Sequence, residues 1–265
     1  MQDNPIGIFD SGFGGLTVLA EAKKLLPNED FVYFCDQKNV PYGNKKPAQI
    51  KEFVQAGVEF LISENVKAIV IACNTATSAS IDDLRANFSI PIIGMEPAIK
   101  PAIEQKGGGR VLVLATSLTL SEEKFKKLEE KLDAEKDTTV IPIDDLAVLI
   151  EKHLRANSNC FIYSEEIEEC LKKALLDIDL SRVAVVVLGC THHIFVRPYL
   201  EKILPPHIDV IDGNLGTVRQ LERILVDKGL LENDDVPGGE MKFFSSDSSI
   251  IDIDKICRGI LENYL

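Results

Sequence analysis

Two cysteines occupy matching settings in this chain: Cys73 in AIVIACNTATS and Cys190 in VAVVVLGCTHH. Each follows a wholly apolar run, Ala68 to Ala72 in one case and Val183 to Leu188 in the other. Each is followed by small hydroxyl residues, Thr75 and Thr77 or Thr191. Two thiols brought to opposite sides of one ligand carbon could carry out a paired proton transfer. One removes a proton and the other returns one from the opposite face. A thiol at a helix start is drawn towards thiolate by the positive end of the dipole, and Asn74 and Thr75 add donors suited to a carboxylate. His192 stands two residues after Cys190, where an imidazole can shift the thiol's protonation. The plainer reading of a lone cysteine is an inert packing residue, and His193 reads as a histidine satisfied within its loop.

A second candidate is the glycine-rich turn GIFDSGFGG, Gly7 to Gly15. It is not the dinucleotide fingerprint, because Thr17 stands at the third glycine position and Asp10 would repel a pyrophosphate. Its backbone N–H groups still suit a carboxylate, and Asp10 suits an ammonium group or the positioning of a thiol. The ordinary alternative is a tight turn capped by Asp10 and Ser11. VPYG, Val40 to Gly43, follows Asp36 and alone is an ordinary proline turn. The four histidines show no metal-ligand spacing. The six cysteines, at 35, 73, 160, 170, 190 and 257, form no CxxC pair, so neither a zinc ribbon nor a disulfide scaffold is expected.

Positioning these residues requires a parallel α/β sheet. Short β-branched apolar runs read as strands buried on both faces, and the residue just past such a strand lies on the edge where open α/β folds hold ligands. The pattern predicts strands at 6–9, 31–35, 67–72, 90–94, 110–115, 138–141, 183–188, 208–211 and 241–244. It predicts helices at 15–26, 47–63, 75–87, 145–156, 164–176, 196–203, 215–228 and 252–264. A charged helix is expected around Ser121 to Lys136 and a loop at 233–239. Repeated strand–helix units imply a mostly parallel sheet. The two strand–Cys–Thr units, 117 residues apart, point to two similar halves. The first domain is read as 1–97 plus 207–265 and the second as 98–206.

Length and composition suit a globular protein: 265 residues, 45% hydrophobic, with a net charge of -13. That charge disfavours nucleic acid and anionic membranes as partners, though not an anionic substrate in a local cleft. No apolar run is long enough for a membrane span, and no basic-then-apolar leader is visible. A cytoplasmic location with free thiols is expected.

The ordered set of motifs closely resembles glutamate racemase, within the aspartate/glutamate racemase superfamily. The resemblance rests on GIFDSGFGG, Asp36 before VPYG, ACNTATS at Cys73, PIIGMEPAIKPA from Pro91 to Ala102, LGCTH from Leu188 to His192, and MKFFSSD from Met241 to Asp247. It spans nearly the whole chain. It implies two similar doubly wound α/β domains with the active site in the cleft between them. It also implies cofactor-independent interconversion of L- and D-glutamate, supplying D-glutamate for peptidoglycan. Carried across by position, Cys73 and Cys190 are the two catalytic bases, the first acting on D-glutamate and the second on L-glutamate. Asp10 and His192 assist, each mainly on its own side. Asp10, Ser11, Tyr42, Gly43, Asn74, Thr75, Thr191 and His192 are substrate contacts, and Asp36 and Glu151 are accessory acids. The expected partners are glutamate and a second copy of the chain in a homodimer, with no metal. The chain departs from the family pattern at His193 and Ile194, where an aromatic residue and proline are usual. It departs again at IPIDDLAVLIE, and at Gly213-Asn214, where serine is usual. Rival readings are an aspartate racemase and a catalytically silent regulatory protein on the same fold.

Overall fold

The structure is a computed structural model describing residues 2–131, 136–157, 162, 164–232 and 239–264. Cys160 and nearly all of the loop expected at 233–239 lie outside the described residues. The first half runs β1 (Ile6–Asp10), α1 (Leu16–Leu25), β2 (Phe31–Cys35), α2 (Pro47–Ser63), β3 (Ala68–Ile71), α3 (Asn74–Asn87), β4 (Ile92–Gly94) and α4 (Ile99–Gln105). There follow β5 (Arg110–Ala115), α5 (Ser117–Ser121), α6 (Glu123–Lys131), β6 (Thr138–Pro142), α7 (Asp144–Asn157), α8 (Glu165–Leu175), β7 (Val183–Leu188) and α9 (Arg197–Ile203). The chain closes with β8 (Asp209–Asp212), α10 (Asn214–Asp227), β9 (Met241–Ser245) and α11 (Ile253–Leu261).

These strands form two wholly parallel sheets, ordered β4-β3-β1-β2-β9 and β6-β5-β7-β8. The α/β class and the parallel sheets are as the sequence implies. Alternation along each strand sends neighbouring side chains to opposite faces. In β5, Leu112 and Leu114 join one core and Val111 and Val113 another; in β7, Val186 and Leu188 join the first and Val185 and Val187 the second. The face holding Leu112 and Leu188 is continuous with Ile6 and Ile8 of β1, so one apolar core runs beneath both sheets.

Three features differ from the sequence reading. β8 pairs with β7 in register Val186↔Val210 and so belongs to the second sheet. The chain therefore returns to the first half after Asp212, not at residue 207. An isolated four-residue strand carries no local mark of which sheet it joins. The charged helix expected around Ser121 to Lys136 is α6 over its described part, and a separate short helix, α5, precedes it, with Glu122 in extended conformation between them. Finally, α4 forms between the strands expected at 90–94 and 110–115, where the sequence reading assigns no element. Pro101 sits in its first turn, where a missing N–H breaks no intrahelical bond.

Candidate active site

Both cysteines stand just past the C-terminal ends of parallel strands, Cys73 after β3 and Cys190 after β7. Both line one small cavity of about 100 Å³ between the sheets, together with Ser11, Tyr42, Gly43, Thr75, Thr116, Asp144 and His192. Cys73 is the N-cap of α3, its Sγ accepting the Ala76 N–H at 3.4 Å and a hydrogen bond from the Ser11 side chain. Burial, reinforced by the Asp10 charge, pushes its thiol up to about 12, so at rest it is protonated. The helix start does not win, because a desolvated anion loses more than the dipole returns.

Cys190 Sγ lies 4.0 Å from His192 Nδ1, and the other ring nitrogen, Nε2, lies 2.5 Å from Glu151 Oε2. The carboxylate accepts the Nε2–H hydrogen bond and so turns Nδ1 towards the thiol. Burial alone would lower the His192 pKa, but the bonds to Cys190 and Glu151 outweigh it and hold the ring well above its ordinary value. Glu151 mirrors this. Burial would raise it, yet His192, the Phe13 N–H at 3.0 Å and the Gln37 amide hold it below the usual range. Glu151 comes from α7 in the second half, while Phe13 and Gln37 come from the first. One carboxylate therefore locks the two halves around His192.

Asp10 ends β1 and is fully buried. Its Oδ1 accepts the Gly12 N–H at 2.8 Å and its Oδ2 accepts the Thr191 hydroxyl at 3.1 Å. Burial pushes it up to about 6, against the pull of His192 and the Gly12 N–H. The glycines beside it serve close approach. A Cβ on Gly12 would stand 2.5 Å from Glu151 Oε2, and one on Gly14 would stand 2.7 Å from His192 Nδ1.

The remaining sequence-derived residues divide into two groups. Tyr42, Gly43 and Thr75 line the cavity with Ser11. Asn74 and Thr191 are buried next to the thiols; Asn74 Nδ2 donates to the Met95 carbonyl at 3.3 Å and its Oδ1 has no partner among the described residues. Asp36 does not line the cavity. It accepts from Tyr42 Oη at 2.6 Å, from Asn39 at 3.0 Å and from Ser246 at 2.5 Å, and so braces the VPYG loop. Thr77 turns away, donating to the Ile71 carbonyl at 3.0 Å. His193 is buried, with Nδ1 at 3.2 Å from the Leu114 carbonyl, and burial pushes it down to about 4, so it is neutral. Sequence reasoning missed Thr116, Asp144 and Gln37. The rule that found the cysteines also covers the first two, since Thr116 follows β5 and Asp144 lies just past β6.

The chain matches the family model "Asp/Glu/Hydantoin racemase" over residues 17–221. It is 46% identical over 260 residues to glutamate racemase of Clostridium novyi (strain NT), covering 97% of this chain and 98% of that one. The chain belongs to the Asp/Glu/Hydantoin racemase family. It is an isomerase, an amino-acid racemase. Its fold is similar to that of the glutamate racemase isoform RacE1 from Bacillus anthracis, with a TM-score of 0.82 at 30% identity, covering 100% of this chain and 94% of that one. It is also similar to the glutamate racemase of Francisella tularensis subsp. tularensis SCHU S4, solved in complex with D-glutamate, with a TM-score of 0.81 at 28% identity over 99% and 95% of the two chains. Among the described residues, no helix of this racemase is long and apolar enough to cross a membrane.

Proposed function

We propose that this chain interconverts L-glutamate and D-glutamate with Cys73 and Cys190 as the two bases and without a cofactor. The observation that carries the reading is that two thiols, delivered by strands of different sheets, line the same small cavity. The substrate α-carbon sits between them. One sulfur, as thiolate, takes the α-proton: the C–H bond breaks and an S–H bond forms. The opposite thiol then gives up its proton to the other face of the carbanion, and the configuration is inverted. By the family pattern, Cys73 starts on D-glutamate and Cys190 on L-glutamate.

The chemistry around each sulfur fits these roles. Cys73 is held as a thiol, ready to donate. Cys190 faces an imidazole that Glu151 keeps protonated, so a proton donor stands at that sulfur. The two titrations are coupled, since turnover needs one thiol and one thiolate at a time. Charge on the carbanion is met by preorganised donors, for which Asn74 and Thr75 are the candidates, the Thr191 hydroxyl being given to Asp10. Asp10 balances the substrate ammonium. In the cell, this reading makes the chain a cytoplasmic homodimer that supplies D-glutamate for peptidoglycan.

The test is incubation with L-glutamate in D₂O, following optical rotation together with loss of the α-proton signal, with L-aspartate in parallel. Loss of both signals on glutamate, abolished in Cys73→Ser and in Cys190→Ser, is the expected result. Turnover of aspartate alone would replace the substrate, and native racemisation in either folded serine variant would sink the two-base mechanism.

A further inference from the structure

Three buried hydroxyls close a ring at the cavity wall. Thr75 Oγ1 lies 2.9 Å from Thr116 Oγ1 and 3.1 Å from Thr119 Oγ1, and Thr116 and Thr119 are 2.9 Å apart. Thr75 stands in the first turn of α3, in the first half. Thr116 caps α5 and Thr119 lies inside it, in the second half. Thr75 and Thr116 line the cavity and Thr119 does not. Among the described residues, no lysine or arginine lines the cavity. His192 is the cation in the wall and faces Cys190, so a ligand carboxylate lying away from it must be held by neutral donors.

A hydroxyl has one hydrogen to give. With the cavity empty, three hydrogens serve three O···O contacts and the ring is saturated. When a carboxylate enters, Thr75 and Thr116 must turn their hydrogens towards it. The ring then keeps one hydrogen, that of Thr119. Its backbone N–H already points at Thr116 Oγ1, at 3.3 Å, which leaves its hydroxyl free for Thr75. A donor that itself accepts a hydrogen bond is polarised and donates more strongly.

We propose that Thr119 is a positioning residue for substrate, feeding hydrogen bonds to the Thr75 and Thr116 hydroxyls so that both can donate to one carboxylate of the ligand across the two halves of the protein. This rests on the dicarboxylate reading of the cavity given above. It separates Thr119 from a packing residue, because the function lies in the hydroxyl and not in the methyl group.

The experiment compares Thr119→Val, which keeps the shape and loses the hydroxyl, with Thr119→Ser, which keeps the hydroxyl and loses the methyl. Binding of glutarate, a five-carbon dicarboxylate without the reacting centre, is measured by calorimetry, beside KM and kcat for both glutamate enantiomers and thermal midpoints. Thr119→Val is expected to raise the glutarate Kd and the glutamate KM roughly three- to tenfold, the effect of one supporting hydrogen bond, with kcat changed less. Thr119→Ser is expected to bind within about twofold of wild type even where its thermal midpoint falls. Should Thr119→Val not fold, Thr119→Ala takes its place against Thr119→Ser. Wild-type affinity in the variant without the hydroxyl, or equal weakening in the serine variant, overturns the proposal. A wild-type protein that binds no glutarate and turns over no glutamate overturns the functional reading instead.

Discussion

Glu151 and His192 meet at 2.5 Å in a buried pair that decides which way the histidine faces. The same carboxylate accepts the Phe13 N–H and the Gln37 amide. The orientation of the ring at Cys190 is therefore set by groups from both halves of the protein.

Replacing Glu151 with Gln keeps the size and removes the charge. Without it, the His192 proton is lost at lower pH. The alkaline limb of kcat/KM should move to lower pH, and the rate near neutrality should fall roughly 10²-fold, the lower end for a positioned acid–base group. The pair also sets a stability window. The raised His192 contributes stability fully present below its ordinary value near 6.5 and lost as pH rises through the folded value. The lowered Glu151 contributes stability present above about 4.5 and lost as pH falls. Thermal melts of wild type and Glu151→Gln across pH should differ most between those limits. An unmoved alkaline limb would show that Glu151 does not act through His192.

Asp10 behaves in the opposite sense. Its folded value, near 6, lies above the ordinary 3.8, so the folded protein binds this proton more tightly than the unfolded chain does. That contribution to stability is present at low pH and is lost as pH rises through about 6. Asp10→Asn should therefore melt higher than wild type at pH 8, with the gap closing towards pH 4. Its activity should be lower throughout, and the acid limb near pH 6 should be missing from its kcat/KM profile. A wild-type acid limb retained in the variant would assign that limb to another group.

The contact between Asp10 and Thr191 alters what is expected of the two assistants. His192 contacts the Cys190 sulfur, whereas Asp10 acts on the Cys73 thiol and holds the loop that carries Cys190. An equilibrium constant of one between enantiomers keeps the two kcat/KM values equal in every variant. Asymmetry must then appear in isotope effects and in kcat and KM taken separately. With α-deuterated substrates, His192→Asn should change the primary isotope effect mainly from L-glutamate, and Asp10→Asn should change it from both enantiomers. The same pattern in both variants would show that His192 is not side-specific.

Gly12→Ala tests the packing between the halves. The added methyl would stand 2.5 Å from Glu151 Oε2, and Glu151 must move or the loop must lift. A stability loss of about 1–3 kcal/mol is expected for such overpacking, with a larger loss of activity than of stability, because His192 shifts with its carboxylate. Melts and steady-state rates on the same preparation measure both. Full activity would mean that the Glu151–His192 pair tolerates displacement.

What the sequence determined by itself was local. The apolar runs at 68–72 and 183–188 mark strands because burial on both faces leaves no polar alternation, and a residue past such a strand falls on the ligand edge. That logic reaches Cys73, Cys190 and their following threonines, and Pro47 to Ser63 reads as a helix from its apolar stripe and its N-terminal proline. Only the tertiary structure decided which distant groups meet. Glu151 bonds Phe13 and Gln37 across 138 and 114 residues of chain, and Asp10 bonds Thr191 across 181. β8 joins the second sheet, and Thr119 reaches Thr75 through the closure of two halves. Local periodicity records which face of an element is apolar. It does not record which carboxylate, hydroxyl or strand edge that face will find, because those pairings are fixed by how two sheets pack on one shared core.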